Sequence, residues 1–204
     1  MDSNLTKIVL TGGPCAGKTT ALICIRRHFE SLGYAVVFVA ETATELISSG
    51  IAPWSMQSAD VYQEYQIQLQ LEKEKIICEA AKRLKNNKKV LVVCDRGVID
   101  NKAYMSDGAY KTVLDSMGLD EHTLKNGYDA VFHLVTAAKG ACSDYTLDGN
   151  NCRTETPLQA AQLDDRIVEV WADHPHYRVI DNSTGFEQKI QRLIAEISDF
   201  LGEK

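Results

Sequence analysis

Long apolar stretches are missing from the chain. The longest apolar runs, Tyr34–Ala40 and Val90–Cys94, fall far short of the roughly 20 residues that a membrane-spanning helix needs. The N-terminus, MDSNLTKIVL, has an acid at position 2 and no long apolar core, unlike a secretory signal. These absences predict a protein with neither a transmembrane segment nor a secretory leader.

Basic residues are also in deficit. Lysine and arginine number 22 against 28 aspartates and glutamates, which gives a net charge of −6. A general nucleic-acid binder is normally basic, because neutralising phosphates supplies most of its affinity. We therefore expect no nucleic-acid partner, although a small pocket can still be locally basic inside an acidic shell.

Cysteine pairs of the Cys-x-x-Cys type are absent. The six cysteines stand at positions 15, 24, 78, 94, 142 and 152, several of them in apolar runs where they fit as small buried side chains. This usage favours a reducing, cytoplasmic location. Cys142 and Cys152 share one polar segment and could pair or bind metal, but two free thiols are the favoured interpretation.

Five short apolar runs rich in β-branched residues alternate with helical stretches. They are continuously apolar, as strands buried on both faces of a parallel sheet are. The predicted strands are Lys7–Leu10, Ala35–Ala40, Lys89–Cys94, Ala130–Val135 and Tyr177–Ile180. Because the chain has 204 residues, the pattern predicts one α/β domain spanning 1–204, with no repeat and no linker.

The helices between these strands carry start and stop signals. The predicted helices are Gly17–Leu32, Ser58–Lys85, one capped by Thr156 with Gln159, and Phe186–Phe200 with Thr184 and Glu187 as its capping box. On the second helix, residues including Val61, Tyr65 and Leu69 predict an apolar stripe. Residues 137–156 are polar and aperiodic, and a long loop between a strand and a helix predicts a lid.

A phosphate-binding motif follows the first predicted strand and opens the first helix. The residues are Gly12-Gly13-Pro14-Cys15-Ala16-Gly17-Lys18-Thr19, which match G-x-x-x-x-G-K-[ST]. Glycines permit close approach of phosphate, and the loop N–H groups with the helix N-terminus form an anion site. We expect Lys18 to reach the β- and γ-phosphates and Thr19 to bind Mg²⁺, with Thr20 a weaker candidate. The competing interpretation is a chance glycine-rich turn.

The guanine-reading motif of signalling GTPases is missing. Asn101-Lys102-Ala103-Tyr104 comes nearest to N-K-x-D, but its fourth residue is tyrosine. This argues against a Ras-like fold and leaves either ATP or GTP as the ligand.

Charged residues follow two of the predicted strands, at the edge where parallel sheets bind ligands. Asp95 could hold Mg²⁺ and Arg96 could bind phosphate, or the two could form a solvated ion pair in a turn. Glu41 could accept a proton from an acceptor hydroxyl, or it could serve as an N-terminal charge for a helix over Thr42–Ile47.

The chain resembles the AAA-type ATPase family of the translocation-defect protein. The resemblance covers nearly the whole chain and is carried by these segments: Ile8–Arg27, Asp95-Arg96-Gly97, Asn151–Pro157 and His174–Asn182. That family is related to nicotinamide riboside kinase domains and, more distantly, to deoxynucleoside and thymidylate kinases.

The resemblance implies a three-layer phosphate-loop fold whose five-stranded parallel sheet has the order 2-3-1-4-5, with a lid after the fourth strand. It implies that Asp95 and Arg96 stand where such kinases place an Asp-Arg pair, and that Glu41 lies near their catalytic acid. We expect no ring-forming AAA+ machine, because the residues after Asn182 are too few for its small helical domain.

Further site residues are expected around this centre. Arg153, at the edge of the lid, and Arg166, on the helix after it, are candidates to contact phosphates, against surface salt bridging as the alternative. Asn182 could contact the nucleotide base or simply form a turn. His174 and His176 lack a third ligand nearby, which argues against a zinc site.

The acceptor pocket is expected beside the second helix, where related kinases often bind their acceptor. The candidates are Tyr62, Gln63, Tyr65, Gln66 and Gln70. For Tyr65 the apolar stripe is the favoured role, and for the glutamines it is a solvated face. Trp54 could stack on a ligand or close a loop.

These features support three hypotheses. The first is a Mg²⁺-dependent kinase that transfers the γ-phosphoryl group of ATP or GTP to a small nucleoside-like acceptor. The second is a nucleotide-binding regulator in trafficking or signalling, and the third, the weakest, is a structural module with a vestigial loop. The lid and Glu41 favour the kinase.

Overall fold

The computed structural model describes residues 4–84, 88–140 and 155–203. Five strands form its sheet: β1 (Leu5–Thr11), β2 (Ala35–Val39), β3 (Val90–Asp95), β4 (Ala130–Leu134) and β5 (Tyr177–Ile180). The described helices are α1 (Lys18–Ser31), α2 (Thr42–Ser48), α3 (Ala59–Ala81), α4 (Asp107–Met117), α5 (Glu121–Lys125), α6 (Pro157–Trp171) and α7 (Phe186–Leu201), with a 3-10 helix over Val98–Tyr104. Every predicted strand is present, with bounds that differ from the prediction by at most two residues.

The sheet is parallel throughout and has the order β2-β3-β1-β4-β5. This confirms the predicted 2-3-1-4-5 order. Because β1 is the central strand, the loop that follows it emerges in the middle of the carboxyl edge. Leu10 of β1 pairs in register with Asp95 of β3, so the phosphate loop and the end of β3 are neighbours.

Helices cover both faces of the sheet and complete three layers. On one face, Ile25 and Phe29 of α1 pack with Leu193 and Ile197 of α7 over the apolar strands. On the other, α3, α4, α6 and the 3-10 helix enclose a second core that includes the fully buried Trp171. The apolar strands are therefore covered on both sides, as their lack of alternation predicted.

Helix termini show which sequence signals the fold uses. Thr156 and Gln159 form the predicted capping box at α6, with Pro157 in the first helical position. The capping box predicted for α7 is wrong. The helix begins one residue later than the capping box requires: Gly185 is at the N-cap position, there is no side-chain cap, and Glu187 falls at the second helical position instead of the third.

The stretch between β3 and β4 holds the elements that the sequence prediction missed. The 3-10 helix, α4 and α5 all lie there. Ser106 caps α4 by accepting from the Ala109 N–H, and Asp120 caps α5 by accepting from the Thr123 N–H. Among the described residues, no helix is long and apolar enough to cross a membrane. Residues 141–154, which hold Cys142, Cys152, Arg153 and most of the predicted lid, lie outside the described residues.

Candidate functional site

The backbone of the phosphate loop adopts conformations that few residue types other than glycine can adopt. Gly12 has a φ of 137°, and a Cβ there would lie 2.0 Å from the carbonyl oxygen of Leu134. Gly17, the N-cap of α1, also has a positive φ of 92°, as does Cys15 at 57°. Such left-handed positions are typical of loops whose N–H groups form an anion nest.

Lys18 lies across this loop and is buried. Its Nζ donates to the carbonyl oxygens of Gly12 at 3.0 Å and Gly13 at 3.4 Å. Thr19 and Thr20 are exposed in the first turn of α1, and Thr20 lines a groove between α1 and α7. The buried ammonium of Lys18 and the exposed hydroxyls of Thr19 and Thr20 therefore lie together at the N-terminus of a helix, which is an arrangement that binds phosphate.

A buried carboxylate supports the loop from behind, and the sequence analysis missed it. Asp164 of α6 is fully buried, and its Oδ1 accepts from the Gly13 N–H at 2.8 Å and the Thr136 N–H at 3.2 Å. His133 Nε2 lies 3.0 Å from the same oxygen, and Lys139 Nζ donates to Oδ2 at 3.0 Å. Burial opposes ionisation, but these partners outweigh it and lower the pKa of Asp164 to about 2.

A buried lysine supports the other flank of the loop. Lys189 of α7 donates to the Ala16 carbonyl at 3.2 Å, the Val135 carbonyl at 2.6 Å and Asn182 Oδ1 at 2.8 Å. Its pKa is lowered to about 8, chiefly because burial removes water from the ammonium. The amide of Asn182 in turn donates to the carbonyls of Thr136 and Lys139. Asn182 therefore fills the turn role, and its contact with a base stays a prediction.

Glu41 and Arg96 meet at the carboxyl edge of the sheet, where β2 and β3 end; the sequence analysis did not predict this pair. Arg96 Nε donates to Glu41 Oε1 at 2.6 Å, and Thr44 donates to Oε2 at 2.6 Å. Burial would raise the pKa of Glu41, but the charges of Arg96 and Lys18 and both hydrogen bonds lower it to about 2. The Glu41 carboxylate is therefore ionised throughout the physiological range.

Arg96 is held by a second buried carboxylate that the sequence analysis also missed. Asp100 lies four residues further on, with its Oδ2 3.4 Å from an Arg96 terminal nitrogen. Thr11 donates to Oδ2 and Trp171 to Oδ1, both at 2.6 Å. The spacing of four residues between Arg96 and Asp100 could have indicated an ion pair, but this stretch was not predicted to be helical.

Asp95 has the environment that a divalent cation would complete. It is the last residue of β3, and its Oδ1 is buried without a hydrogen-bond partner among the described residues. Burial raises its pKa, and the carboxylates of Glu41 and Asp100 add to this while Lys18 and Arg96 oppose it. An unpaired carboxylate oxygen beside a phosphate loop fits Mg²⁺, which binds one or two carboxylates together with phosphate oxygens.

A cavity of about 170 Å³, partly open to solvent, adjoins this centre. It is lined by Pro14 of the phosphate loop, by Glu41, Ala43, Thr44, Ile47, Pro53, Trp54, Tyr62, Gln63 and Gln66, and by Arg96, Tyr104 and Glu155. Trp54 stands at its rim and is 67% exposed. The candidate acceptor residues Tyr62, Gln63 and Gln66 are thus brought together with Glu41 and Arg96.

The buried face of α3 differs from the predicted apolar stripe. Tyr65 is 51% exposed and lies outside the cavity, whereas Gln63, Gln66 and Gln70 are buried. The solvated-face interpretation of the glutamines was therefore wrong. The helix turns its polar side inward because that side faces the site, and the Oε1 atom of Gln63 is buried there with no hydrogen-bond partner in the part of the chain that the structure describes.

The remaining candidates do not line the cavity. Arg166 donates to the carbonyl of Met105 at 2.5 Å, at the end of the 3-10 helix, and its contact with phosphate stays a prediction. His174 Nε2 lies 3.0 Å from the Tyr128 carbonyl. Within the described ranges, no group of three or more potential metal-ligating side chains occurs.

The central phosphate loop and the 2-3-1-4-5 sheet define a P-loop fold of the nucleoside-kinase type. The profile of the family described as AAA domain matches residues 7–189, and the chain belongs to that family. A solved structure of deoxyadenosine kinase from M. mycoides with bound dATP is similar in fold, with a TM-score of 0.60 and 17% identity over 95% of this chain and 99% of that one. No curated protein matches the sequence.

Proposed function

We propose that the protein is a kinase that transfers the γ-phosphoryl group of ATP or GTP to a hydroxyl of a small nucleoside-like acceptor. One observation carries this proposal: the phosphate loop forms part of the lining of the cavity. Pro14 of the loop lines the same cavity as Glu41 and Arg96. A ligand in that cavity would stand beside the phosphate loop, which is the proximity that phosphoryl transfer requires.

The phosphate loop and the carboxyl edge divide the nucleotide chemistry between them. Lys18 and the loop N–H groups would hold the β- and γ-phosphates. Thr19 and Asp95 would hold Mg²⁺, which neutralises phosphate charge when bound. Arg153 and Arg166 are proposed to add positive charge around the transferred group, and Asn182 to contact the base.

Glu41 is proposed to orient the acceptor hydroxyl. With a pKa of about 2 it is a weak base, so its main contribution is a fixed, ionised hydrogen-bond acceptor. That suffices for a loose phosphoryl-transfer transition state, in which positioning and charge stabilisation supply most of the catalysis. Arg96 would balance the charge of Glu41 and present its remaining N–H groups to phosphate.

The charges around the cavity favour a neutral acceptor over a phosphorylated one. Among the described lining residues, Glu41 and Glu155 are acidic, and Arg96 is the one lysine or arginine. Arg96 already contacts Glu41 and Asp100. An acceptor monophosphate would therefore meet net negative charge, whereas a nucleoside would place its polar groups against Gln63 and Gln66.

Several expectations from the sequence belong to this proposal. They are a single domain over 1–204, a lid over 137–156, a cytoplasmic location, and the narrower likeness to the translocation-defect group. The related fold of a deoxyadenosine kinase supports the kinase class, while the choice between ATP and GTP is left to experiment.

The decisive experiment measures diphosphate release from ATP and GTP with Mg²⁺, without acceptor and with a panel of nucleosides, nicotinamide riboside and nucleoside monophosphates. Acceptor-stimulated release together with a phosphorylated product supports the kinase. Nucleotide binding with no product from any acceptor would favour the regulator instead.

Lys18→Ala tests the phosphate site separately from transfer. A ligand present at about 100 times its Kd should add roughly 2.7 kcal/mol to the free energy of unfolding. We expect Lys18→Ala to abolish this stabilisation in thermal unfolding with and without MgATP or MgGTP. Lys111→Ala removes an exposed lysine paired with Asp115 and is the control. Unchanged stabilisation of Lys18→Ala would overturn the site.

A further inference from the structure

Gln70 occupies a connecting position behind the Glu41–Arg96 pair. It lies on the inward face of α3, is 3% exposed, and does not line the cavity. Its Oε1 accepts from the Thr42 hydroxyl, and its Nε2 donates to the Arg96 carbonyl at 3.2 Å. One side chain therefore contacts the first residue of α2 and the residue that follows β3.

The Arg96 backbone needs such a contact. Arg96 has a φ of 72°, a left-handed conformation that is uncommon for residues other than glycine and costs free energy. Its N–H donates to the Leu10 carbonyl at 3.0 Å, and its carbonyl accepts from Gln70. The peptide units on both sides of Arg96 are thereby fixed, and with them the direction of its guanidinium towards Glu41.

The amide of Gln70 is itself held in one orientation. Its Nε2 also donates to Glu74 Oε1 at 2.8 Å, and Tyr128 donates to the same oxygen at 2.7 Å. The other oxygen of Glu74 binds Lys7 Nζ at 3.0 Å. A flipped amide would place its oxygen against the Glu74 carboxylate and the Arg96 carbonyl, so only one orientation satisfies all the partners.

We infer that Gln70 is a positioning residue: it sets the relative placement of Glu41 and Arg96 by joining Thr42, the Arg96 carbonyl and Glu74. The effect on catalysis rests on the proposed function, whereas the effect on the pair itself does not. Gln70 does not line the cavity, and none of its described hydrogen bonds reaches the phosphate loop. It is therefore not placed to contact a ligand directly. Its loss should therefore slow transfer and leave nucleotide binding unchanged.

The first test replaces Gln70 with methionine, which has similar length and no amide. Gln68→Met, at an exposed position of the same helix, is the matched control. Displacement of reacting groups by about 1 Å can cost on the order of 100-fold in rate. We expect kcat to fall by about that factor in Gln70→Met, with the nucleotide Kd and the acceptor KM within about threefold of wild type.

Thr42 provides a second variant pair, which also serves if Gln70→Met does not fold. Thr42→Val removes the hydroxyl that donates to Gln70, and Thr42→Ser keeps it. We expect a kcat loss in the valine variant and restoration in the serine variant. Equal rates for the two folded variants would contradict the inference.

A titration tests the inference without any transfer activity. In 13C NMR the Glu41 carboxylate of the wild type should stay ionised down to pH 3, because Arg96 and the hydrogen bonds hold its pKa low. In Gln70→Met the pKa should rise towards 4.5, so that a titration midpoint appears above pH 3. If both proteins titrate alike and kcat is unchanged, Gln70 does not position the pair. If the wild type transfers no phosphoryl group, the kinase proposal fails and the titration alone decides.

Discussion

The candidate site has two walls: the support behind the phosphate loop, and the cavity with the adjoining end of β3. They differ in how completely their buried polar atoms are hydrogen-bonded. Behind the phosphate loop, the carboxylate of Asp164 meets four donors and the ammonium of Lys189 meets three oxygens. In the cavity Gln63 Oε1, and at the adjoining end of β3 Asp95 Oδ1, are buried without a hydrogen-bond partner among the described residues. In the first wall both charged groups are paired, although His133 Nδ1 has no hydrogen-bond partner in the described part of the chain. In the second wall an amide oxygen and a carboxylate oxygen are left without one.

This difference distinguishes residues that hold the backbone in place from residues that would contact a ligand. A fully paired buried network stabilises one arrangement of the backbone, whereas a buried polar atom without a partner costs free energy of folding. Native proteins leave few such atoms, and those that persist beside a cavity mark where a ligand or ion completes the pairing. We therefore expect substitutions in the phosphate-loop support to reduce stability, and substitutions at the cavity to reduce activity with a smaller or even favourable effect on stability.

The largest effect is expected for Asp164→Ala. The substitution leaves the Gly13 N–H, the Thr136 N–H and His133 Nε2 buried without their acceptor, and it leaves Lys139 with the exposed Asp165. Breaking a buried charged network of this kind costs about 3–5 kcal/mol. Urea unfolding at neutral pH should show this loss.

Asp165→Ala is the matched control for that experiment. Asp165 is adjacent in α6 and binds the same lysine, but its side chain is 66% exposed. Its removal should cost well under 1 kcal/mol. If the two variants lose similar amounts of stability, the buried network does not support the loop.

A smaller effect is expected from acid titration of Glu41. Its folded pKa of about 2 lies below the ordinary value of 4.5, so its ionised form stabilises the fold above pH 4.5 and that stability is lost as the pH falls towards 2. Between pH 6 and pH 3 this amounts to about 2 kcal/mol. The wild type should therefore lose about that much more stability than Glu41→Gln over the same interval.

Denaturant unfolding at the two pH values measures this difference. Glu45→Gln removes an exposed carboxylate in α2 and should keep the wild-type dependence. An equally steep loss in Glu41→Gln would mean that the Arg96 contact does not hold the carboxylate ionised.

The strands, the phosphate loop and the charged residues at the strand ends could be predicted from local sequence. The loop could be predicted because its eight residues are contiguous and lie between an apolar strand and a helix start. Glu41 and Asp95 could be predicted because parallel strands end at one edge. The strand order, in contrast, rested on family resemblance, since adjacency in a sheet leaves no local pattern.

The supporting residues could not be predicted because their partners are distant in sequence. Asp164 contacts Gly13 across 151 positions, and Lys189 contacts Ala16 across 173. The prediction of the buried face of α3 failed for a different reason. Periodicity assumes that apolar residues face inward, but a helix beside a ligand site buries polar residues that the ligand needs.

The smallest effect, and the one of opposite sign, is expected for Gln63→Met. Methionine fills a similar volume and removes the unpartnered buried oxygen, so the free energy of unfolding should rise by about 1 kcal/mol. Removing the same oxygen should raise the acceptor KM, because the acceptor loses the group that its hydrogen-bond donor would meet. Gln68→Met should leave both quantities unchanged. A stability loss in Gln63→Met without a change in KM would make Gln63 part of the support, and the distinction between the two walls would fail at this residue.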